Sequence, residues 1–184
     1  GTRAEGITTF HSYCFDLLGR VGSLSDSDIV ITEAVRRIKS GEIEANKITK
    51  TVLVIDEAQD MSEVEFSLVQ ALMEANEEMR IIAVGDDDQN IYEFRNSDSK
   101  YLRSLITDYK ATKYELLENY RSRKNIVALS NAFLKKISDR MKETDIKAVQ
   151  QADGEVCITK YKSSNLSIPI VNDILNKPLS GSIC

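Results

Sequence analysis

An apolar run that ends in two acids is the strongest structural signal in this chain. Residues 52–55 read Val-Leu-Val-Ile, and Asp56 and Glu57 follow them directly. A run that is apolar at successive positions predicts a strand buried on both faces of a parallel sheet. Because open α/β sheets bind ligands at the carboxyl ends of their strands, the two acids are predicted to lie at a site.

A capped helix and a second apolar strand are predicted next along the chain. Ser62 is a suitable N-cap with Glu65 three residues later, and apolar positions repeat at helical spacing through about Ala75. Residues 80–84 read Arg-Ile-Ile-Ala-Val, which predicts another buried strand. A polar stretch, residues 85–95, follows it, so polar groups gather again where a strand ends.

Helical and strand periodicity predicts the remaining elements. In chain order they are a strand-to-helix junction at residues 7–18, a helix from Ser25 or Ser27 to about Lys39 that ends at Gly41, a short strand at residues 114–117, a long helix from about Lys124 to Met141, a strand at residues 155–161 and a helix at residues 165–176. Cations outnumber acids in residues 121–147. A solvated helix face is the usual explanation of such a run, and we favour it for the distal lysines.

Composition indicates an ordinary globular protein. The sequence has 184 residues, 42% of them hydrophobic, which suffices for one good core or for one domain and part of another. The net charge of -5 argues against a general coating of nucleic acid but leaves room for a local basic groove. Three widely spaced cysteines predict reduced thiols. No apolar stretch approaches the ~20 residues of a membrane span, so we expect a cytoplasmic protein with no membrane partner.

The polar groups at these strand ends each allow two interpretations. Asp56 could hold a magnesium ion and Glu57 could deprotonate an attacking water, although acids are equally common in the first turn of a helix. Tyr92 and Phe94, beside a cation, could stack on bases or anchor their loop in the core. His11 alone is weak evidence, because a lone histidine at such a junction is more often structural.

Four motifs give these residues a shared context. They are residues 8–12, residues 56–60 after the central strand, residues 85–95 after the second strand and residues 118–122 after the third. Together and in this order they resemble the motifs of the UvrD/Rep-like superfamily 1 DNA helicases, with residues 56–60 resembling the Walker B motif. In that family, two RecA-like domains clamp a nucleotide while single-stranded DNA crosses above them.

The resemblance implies a role for each matching residue. Asp56 and Glu57 would hold Mg²⁺, and Glu57 would also act as the catalytic base. Gln89 would sense the γ-phosphate of ATP, Arg121 would reach that phosphate as an arginine finger, and Tyr120 would stack near the adenine. Single-stranded DNA is the implied partner, and its implied contacts are Thr9, Phe10, His11, Tyr92, Phe94 and Arg95.

The resemblance also implies a fold and a division into domains. We expect an α/β protein of the P-loop NTPase class, with an incomplete RecA-like parallel sheet flanked by helices. Residues 1–111 would be the C-terminal part of the first RecA-like domain (1A), and residues 112–184 would be the truncated start of the second (2A). No Gly-x-x-x-x-Gly-Lys-Ser/Thr phosphate loop occurs in the sequence, so we expect the chain by itself not to hydrolyse ATP.

The predicted function is a fragment of an ATP-dependent DNA helicase or translocase that couples ATP hydrolysis to movement on single-stranded DNA, and we expect a monomer. Two alternatives stay open. One is an ATPase that remodels nucleic acid without unwinding it, and the other is a degenerate helicase-like module that binds proteins. The presence of Glu57, Gln89 and Arg121 argues against decay, and a phosphate loop upstream of Gly1 would decide for truncation.

Overall fold

The computed structural model describes residues 6–19, 27–89, 99–156, 158, 160 and 167–176. Its regular elements are α1 (Phe10–Leu18), α2 (Ser27–Lys39), β1 (Val52–Ile55), α3 (Glu63–Ala75), β2 (Arg80–Ala83), α4 (Lys100–Thr107), β3 (Glu118–Arg123), α5 (Lys124–Leu134), β4 (Lys147–Gln150) and α6 (Ser167–Leu175). Short 3₁₀ turns lie at Ala45–Lys47, Ala58–Asp60 and Asp87–Gln89. In these ranges, no helix is long and apolar enough to cross a bilayer.

The chain forms two compact units. The first consists of Gly1–Leu116 and Leu134–Asp145, and the second of Leu117–Phe133 and Ile146–Cys184. The chain therefore enters the second unit, returns to the first for twelve residues and leaves it again. The domain boundary predicted after residue 111 stays a prediction.

The sheet of the first unit brings two strand ends together. β1 pairs with β2 in parallel, and the register aligns Val52 with Arg80 and Ile55 with Ala83. Beyond the strands, the Val84 N–H donates to the Ile55 carbonyl at 2.8 Å, which continues the ladder. Because both strands run in the same direction and end in register, the turns that follow them lie side by side.

One face of this sheet is buried, so the prediction of strands covered on both faces is wrong. Ile55 is 3% exposed and packs with α3, whereas Val54 is 61% exposed and Ile82 on the neighbouring strand is 52% exposed. Side chains alternate between the two faces of a strand, and in the described part of the chain only the face towards α3 is covered. The other face of β1 also carries apolar residues although it is exposed, so apolar and polar positions do not alternate along this strand.

Helix α3 separates two core clusters. One contains buried residues of α1 and α2 with Leu68 and Leu72, and the other contains Ile55, Phe66 and residues of α4. The predicted capping box is confirmed: the Ser62 hydroxyl accepts from the Glu65 N–H, and the Glu65 carboxylate accepts from the Ser62 N–H. The predicted helices α1 and α2 are confirmed as well.

The strands of the second unit differ from the prediction. β3 begins at Glu118, and residues 114–117 are irregular, with Tyr114 85% exposed. Its parallel partner is Lys147–Gln150, whereas Glu155, Val156 and the described residues near them form no strand. The pairing is set by the backbone, since the Lys147 N–H donates to the Leu117 carbonyl at 2.7 Å. The C-terminal helix is confirmed as α6.

Helix α5 is shorter than predicted, because it ends at Leu134 instead of about Met141. The chain then turns, with the Ile137 N–H donating to the Leu134 carbonyl, and Asp139 adopts a left-handed φ of 62° that a helix cannot contain. Periodicity continued through these residues in the sequence. Their polar contacts with the turn after β2, described below, offer the backbone and side chains a different set of partners.

Candidate functional site

The turn after β1 presents Asp56 and Glu57 as exposed carboxylates. Glu57 has φ 50° and ψ 43°, a left-handed conformation that is costly for a residue with a β-carbon. A 3₁₀ turn follows, and α3 takes its own first-turn acids from Glu63 and Glu65. Asp56 and Glu57 therefore do not form the start of this helix, which removes the simplest structural explanation for them.

Gln59 links this turn to the turn after β2. Its side chain is almost completely buried, at 2% exposure. The Nε2 amide donates to Glu57 Oε2 at 2.9 Å, and Oε1 accepts from the backbone N–H of Asp86 at 2.9 Å. Because a buried amide without partners would be costly, these two bonds fix Gln59 and, through it, the Glu57 carboxylate.

Gly85 makes room for Gln59. A β-carbon at position 85 would lie 2.7 Å from Gln59 Oε1 and 3.1 Å from its backbone nitrogen, both closer than such atoms can approach without movement. The absence of a side chain at Gly85 is thus a geometric requirement of the link between the turns.

The turn after β2 orients Gln89. The Gln89 N–H donates to the Asp86 carbonyl at 2.9 Å, and its side-chain Nε2 donates to Asp86 Oδ2 at 2.8 Å. A continuous hydrogen-bonded chain therefore runs from Glu57 through Gln59 and Asp86 to Gln89. The structure brings together the predicted base and the predicted phosphate-sensing amide.

The two groups of acids differ in their counter-charges. The carboxylates of Asp86, Asp87 and Asp88 approach within 4.8 Å of one another, close enough for a cation, but Arg140 and Lys142 already pair with them. Burial acts to raise the pKa of Asp86, but Lys142, the Gln89 amide and the Asp88 N–H together hold that pKa below its usual range. Among the described residues, Lys and Arg side chains form no ion pair with the acids of the β1 turn.

The acids after β1 fit a divalent cation. Asp56 Oδ1 accepts only from the neighbouring Glu57 N–H, at 3.0 Å, in the part of the chain that the structure describes. Carboxylate oxygens are preferred ligands of Mg²⁺, and two exposed ones at a strand end leave the metal open to water and phosphate oxygens. The donor set therefore suits the predicted magnesium ion.

Asp60 is an unexpected member of the β1 turn. Its Oδ1 is buried and has no hydrogen-bonding partner among the described residues. Desolvation and, secondarily, the charge of Glu57 raise the pKa of the Asp60 carboxyl above its usual range. Ionisation of the Asp60 carboxyl is therefore less favourable in the folded turn than in the unfolded chain.

The candidate DNA contacts near the N-terminus have structural roles in α1. The Thr9 hydroxyl caps the helix by accepting from the Ser12 N–H at 3.2 Å, and Phe10 is half-buried against both core clusters. His11 is half-buried, and its Nε2 has no partner in the described ranges. The other three candidates, Tyr92, Phe94 and Arg95, lie outside the described residues.

Tyr120 and Arg121 lie on β3 in the second unit. Tyr120 is 66% exposed, and its hydroxyl donates to the Glu118 carboxylate, which raises the pKa of the Tyr120 phenol. Arg121 is exposed, and its guanidinium has no hydrogen-bonding or ion-pairing partner among the residues described. A side-chain amide holds this strand by its backbone: Gln150 Nε2 donates to the carbonyls of Tyr120 and Arg121 at 2.7 and 3.2 Å.

Sequence reasoning missed four residues of this region: Gln59, Gly85, Arg140 and Lys142. Gln59 and Gly85 stood inside quoted motifs, but nothing in their spacing showed that they touch. The interpretation of the distal basic residues as a solvated face is wrong for Lys142, whose side chain is 16% exposed, and holds for Lys135, at 63%. A run of three acids was the available signal that cations would be needed elsewhere.

The part of the chain that contains these turns is similar to known helicases. Residues 23–110 match the family model of the UvrD/REP helicase N-terminal domain. YjcD of Bacillus subtilis is 33% identical over 133 residues, which cover 72% of this chain and 17% of the relative. PcrA of Staphylococcus epidermidis, named an ATP-dependent DNA helicase, is 40% identical over 87 residues, covering 47% of this chain and 12% of the relative.

A third relative, DNA helicase II of Haemophilus influenzae, is 33% identical over 89 residues, which cover 48% of this chain and 12% of the relative. The resemblance to UvrD/Rep helicases is confirmed by the family match and these relatives over about half of the chain. The chain spans only 12–17% of the length of the three relatives.

Proposed function

We propose that this chain is part of an ATP-dependent DNA helicase or translocase, which couples ATP hydrolysis to movement on single-stranded DNA. The family match and the names of the relatives support this proposal. A RecA-like fold of the P-loop class belongs to the proposal, and the small parallel sheet of β1 and β2 is compatible with it.

The observation that carries the proposal is the hydrogen-bonded chain from Glu57 through Gln59 and Asp86 to Gln89. A base that activates water and an amide that senses the γ-phosphate must keep a fixed spacing if both are to act on one phosphoryl group. The buried amide of Gln59 supplies that spacing. A solvated acidic turn would have no need of it.

The carboxylates after β1 perform the chemistry in this proposal. Asp56 and Glu57 would hold Mg²⁺, which when bound would neutralise part of the charge of the phosphates. Gln59 occupies Oε2 of Glu57, and this leaves Oε1 to orient and deprotonate the attacking water.

The other site residues complete the proposal. The guanidinium of Arg121 is exposed and has no hydrogen-bonding or ion-pairing partner among the described residues, and it stabilises charge on the γ-phosphate. Tyr120 stacks near the adenine. Single-stranded DNA is contacted at two places, by Thr9, Phe10 and His11 and by Tyr92, Phe94 and Arg95.

The test is a substitution of Glu57→Gln in a complete helicase that carries these residues. We expect ATP turnover to fall by a factor on the order of 10² or more with nucleotide binding nearly intact, because the proton acceptor is lost and the side-chain shape is kept. Glu63→Gln is the matched control, since Glu63 is an exposed acid in the first turn of α3. Steady-state phosphate release with and without single-stranded DNA measures both.

Near-normal turnover of Glu57→Gln would contradict the proposal and make Glu57 an acid without a catalytic role. Equal losses in Glu57→Gln and Glu63→Gln would contradict it too, because removal of any nearby charge would then be sufficient.

A further inference from the structure

A segment that is distant in sequence binds the turn after β2 through ion pairs and a hydrogen bond. We call Leu134–Asp145 the return segment, because it belongs to the first unit whereas the residues on both sides of it belong to the second. Three successive residues of this segment meet three successive acids in antiparallel order. The contacts are Arg140 Nε and Nη2 to the Asp88 carboxylate (2.6 and 2.7 Å), the Met141 N–H to Asp87 Oδ2 (2.6 Å) and Lys142 Nζ to Asp86 Oδ1 (2.7 Å).

These ion pairs are shielded from water. The side chains of Asp88 and Arg140 are 5% and 14% exposed, and the Arg140 guanidinium forms a bidentate pair with the Asp88 carboxylate. Salt and water weaken such a pair much less than an exposed one, such as Lys135 with Asp145, where both side chains are more than half exposed. The arrangement is therefore a built contact and not a chance meeting of surface charges.

The carboxylate of Asp86 connects the return segment to Gln89. Asp86 accepts from Lys142 at Oδ1 and from the Gln89 side-chain amide at Oδ2. The Asp88 N–H also donates to Asp86 Oδ1, at 3.2 Å. Since both oxygens of Asp86 are engaged, the position of Lys142 determines the orientation of the carboxylate and hence that of the Gln89 amide.

The return segment is itself anchored to the first unit. Arg103 Nη2 on α4 donates to the Asp139 carbonyl at 2.7 Å, and Lys113 Nζ donates to the Met141 carbonyl at 2.8 Å. Asp139 adopts its left-handed φ where the segment turns towards the acids. The cations that reach the turn after β2 thus come from a fixed backbone.

We propose that the return segment is a positioning device for Gln89: Arg140 and Lys142 hold the turn after β2 so that the Gln89 amide is aimed for phosphate sensing, and they do so without touching the nucleotide. The proposal rests on the proposed function for the role of Gln89. It also explains why three adjacent aspartates can be packed together, since each has its own partner on the segment.

Three variants test this positioning role. Lys142→Met removes one cation and keeps most of the side-chain volume. Arg140→Met together with Asp88→Asn removes the shielded pair as a whole, because loss of Arg140 alone would leave a buried charge unpaired and could unfold the turn. Lys135→Met is the matched control, since it removes a cation of the same segment whose pair is exposed.

Two measurements separate positioning from stability. Hydrogen exchange of the 184-residue chain follows the amides of residues 86–89, where we expect exchange to accelerate by roughly 10-fold or more in both test variants and to stay unchanged in Lys135→Met. In a complete helicase carrying these residues, we expect kcat for ATP to fall by about 10-fold with KM changed less than about 2-fold, because the groups act through Gln89. The conservative Arg140→Lys keeps a cation opposite Asp88, so it should lose less activity than Arg140→Met together with Asp88→Asn.

Unchanged exchange in both test variants would overturn the proposal, and so would faster exchange with unchanged kcat. If Glu57→Gln still abolishes turnover in those cases, the proposed function stands and only the positioning role fails. If Glu57→Gln keeps its turnover, the proposed function fails and the positioning of Gln89 for phosphate sensing falls with it.

Discussion

The turns after β1 and β2 hold their candidate groups in a hydrogen-bonded network, whereas the candidate side chains on β3 are exposed. Glu57 and Gln89 are tied together through buried Gln59, and Asp86 is tied to Lys142. Arg121 has an exposed guanidinium that forms no hydrogen bond or ion pair with a described residue. The first region is organised by the chain itself, and the second keeps its cation available.

This difference separates two demands on a phosphate-transfer site. Groups that act together on one phosphate work best when hydrogen bonds hold them in place before the substrate binds. Removal of one member of such a network therefore lowers the stability of the fold as well as the activity. A cation that reaches a phosphate from elsewhere must stay unpaired until it binds, so it contributes little to the fold. The comparison therefore predicts that activity and stability respond together in the first region and separately in the second.

The largest expected effect on activity comes from a substitution on β3. Arg121→Ala in a complete helicase should lower kcat by a factor on the order of 10³, since an arginine finger supplies that much to phosphoryl transfer. Its free energy of unfolding should change by no more than about 0.5 kcal/mol, because the side chain that is removed is exposed and has no hydrogen-bonding or ion-pairing partner in the described ranges. The control is Arg123→Ala on the same strand, whose guanidinium donates to the Asp153 carbonyl. An equal loss of activity in both variants would mean that Arg121 has no special role.

The next effect should couple activity to stability. Gly85→Ala places a β-carbon 2.7 Å from Gln59 Oε1, so we expect a loss of about 1–3 kcal/mol in unfolding free energy, as for other overpacked sites. A fall in kcat of roughly 10-fold should accompany it if the link between the turns is needed. Gly6→Ala is the matched control, because its β-carbon would meet nothing within 4 Å. A fully active and stable Gly85→Ala variant would show that Gln59 can move at no cost.

The smallest effect concerns Asp60 and depends on pH. Because the folded-state pKa of Asp60 is raised, its ionised form opposes folding at neutral pH. Asp60→Asn should therefore raise the midpoint of thermal unfolding slightly at pH 7, and this gain should vanish as the pH falls below about 3.9, the ordinary pKa of an aspartate. Thermal scans across pH measure it, with Asp16→Asn on α1 as the exposed control. A gain that persists at low pH would assign the effect to something other than charge.

Local patterns predicted the elements that depend on local forces. The capping box at Ser62, the apolar face of α3 and the strands β1 and β2 follow from side-chain chemistry within a few residues. Two of the four motifs follow the predicted strands β1 and β2, whereas residues 118–122, predicted to follow a strand, lie within β3 itself. The second unit was harder, because the partner strand Lys147–Gln150 is polar and is selected by backbone pairing with β3.

Long-range polar contacts could not be predicted from spacing. Arg140 and Asp88 are 52 residues apart, and Gln59 and Asp86 are 27 apart, so neither pair leaves a periodic signal. The helical pattern through Met141 was misleading for the same reason. The interactions of residues 140–142 with Asp86–Asp88 outweigh the local preference for continuing α5 beyond Leu134.

A double-mutant cycle between Gln59→Leu and Gln89→Ala tests most directly whether the two turns act as one unit. The measured quantity is kcat/KM for ATP in a complete helicase that carries these residues. If Gln59 acts by positioning the chain that ends at Gln89, the double variant should lose little more than the worse single variant, with a coupling free energy of about 1 kcal/mol or more. If the two losses instead add to within about 0.5 kcal/mol, the turns work independently and the account is contradicted.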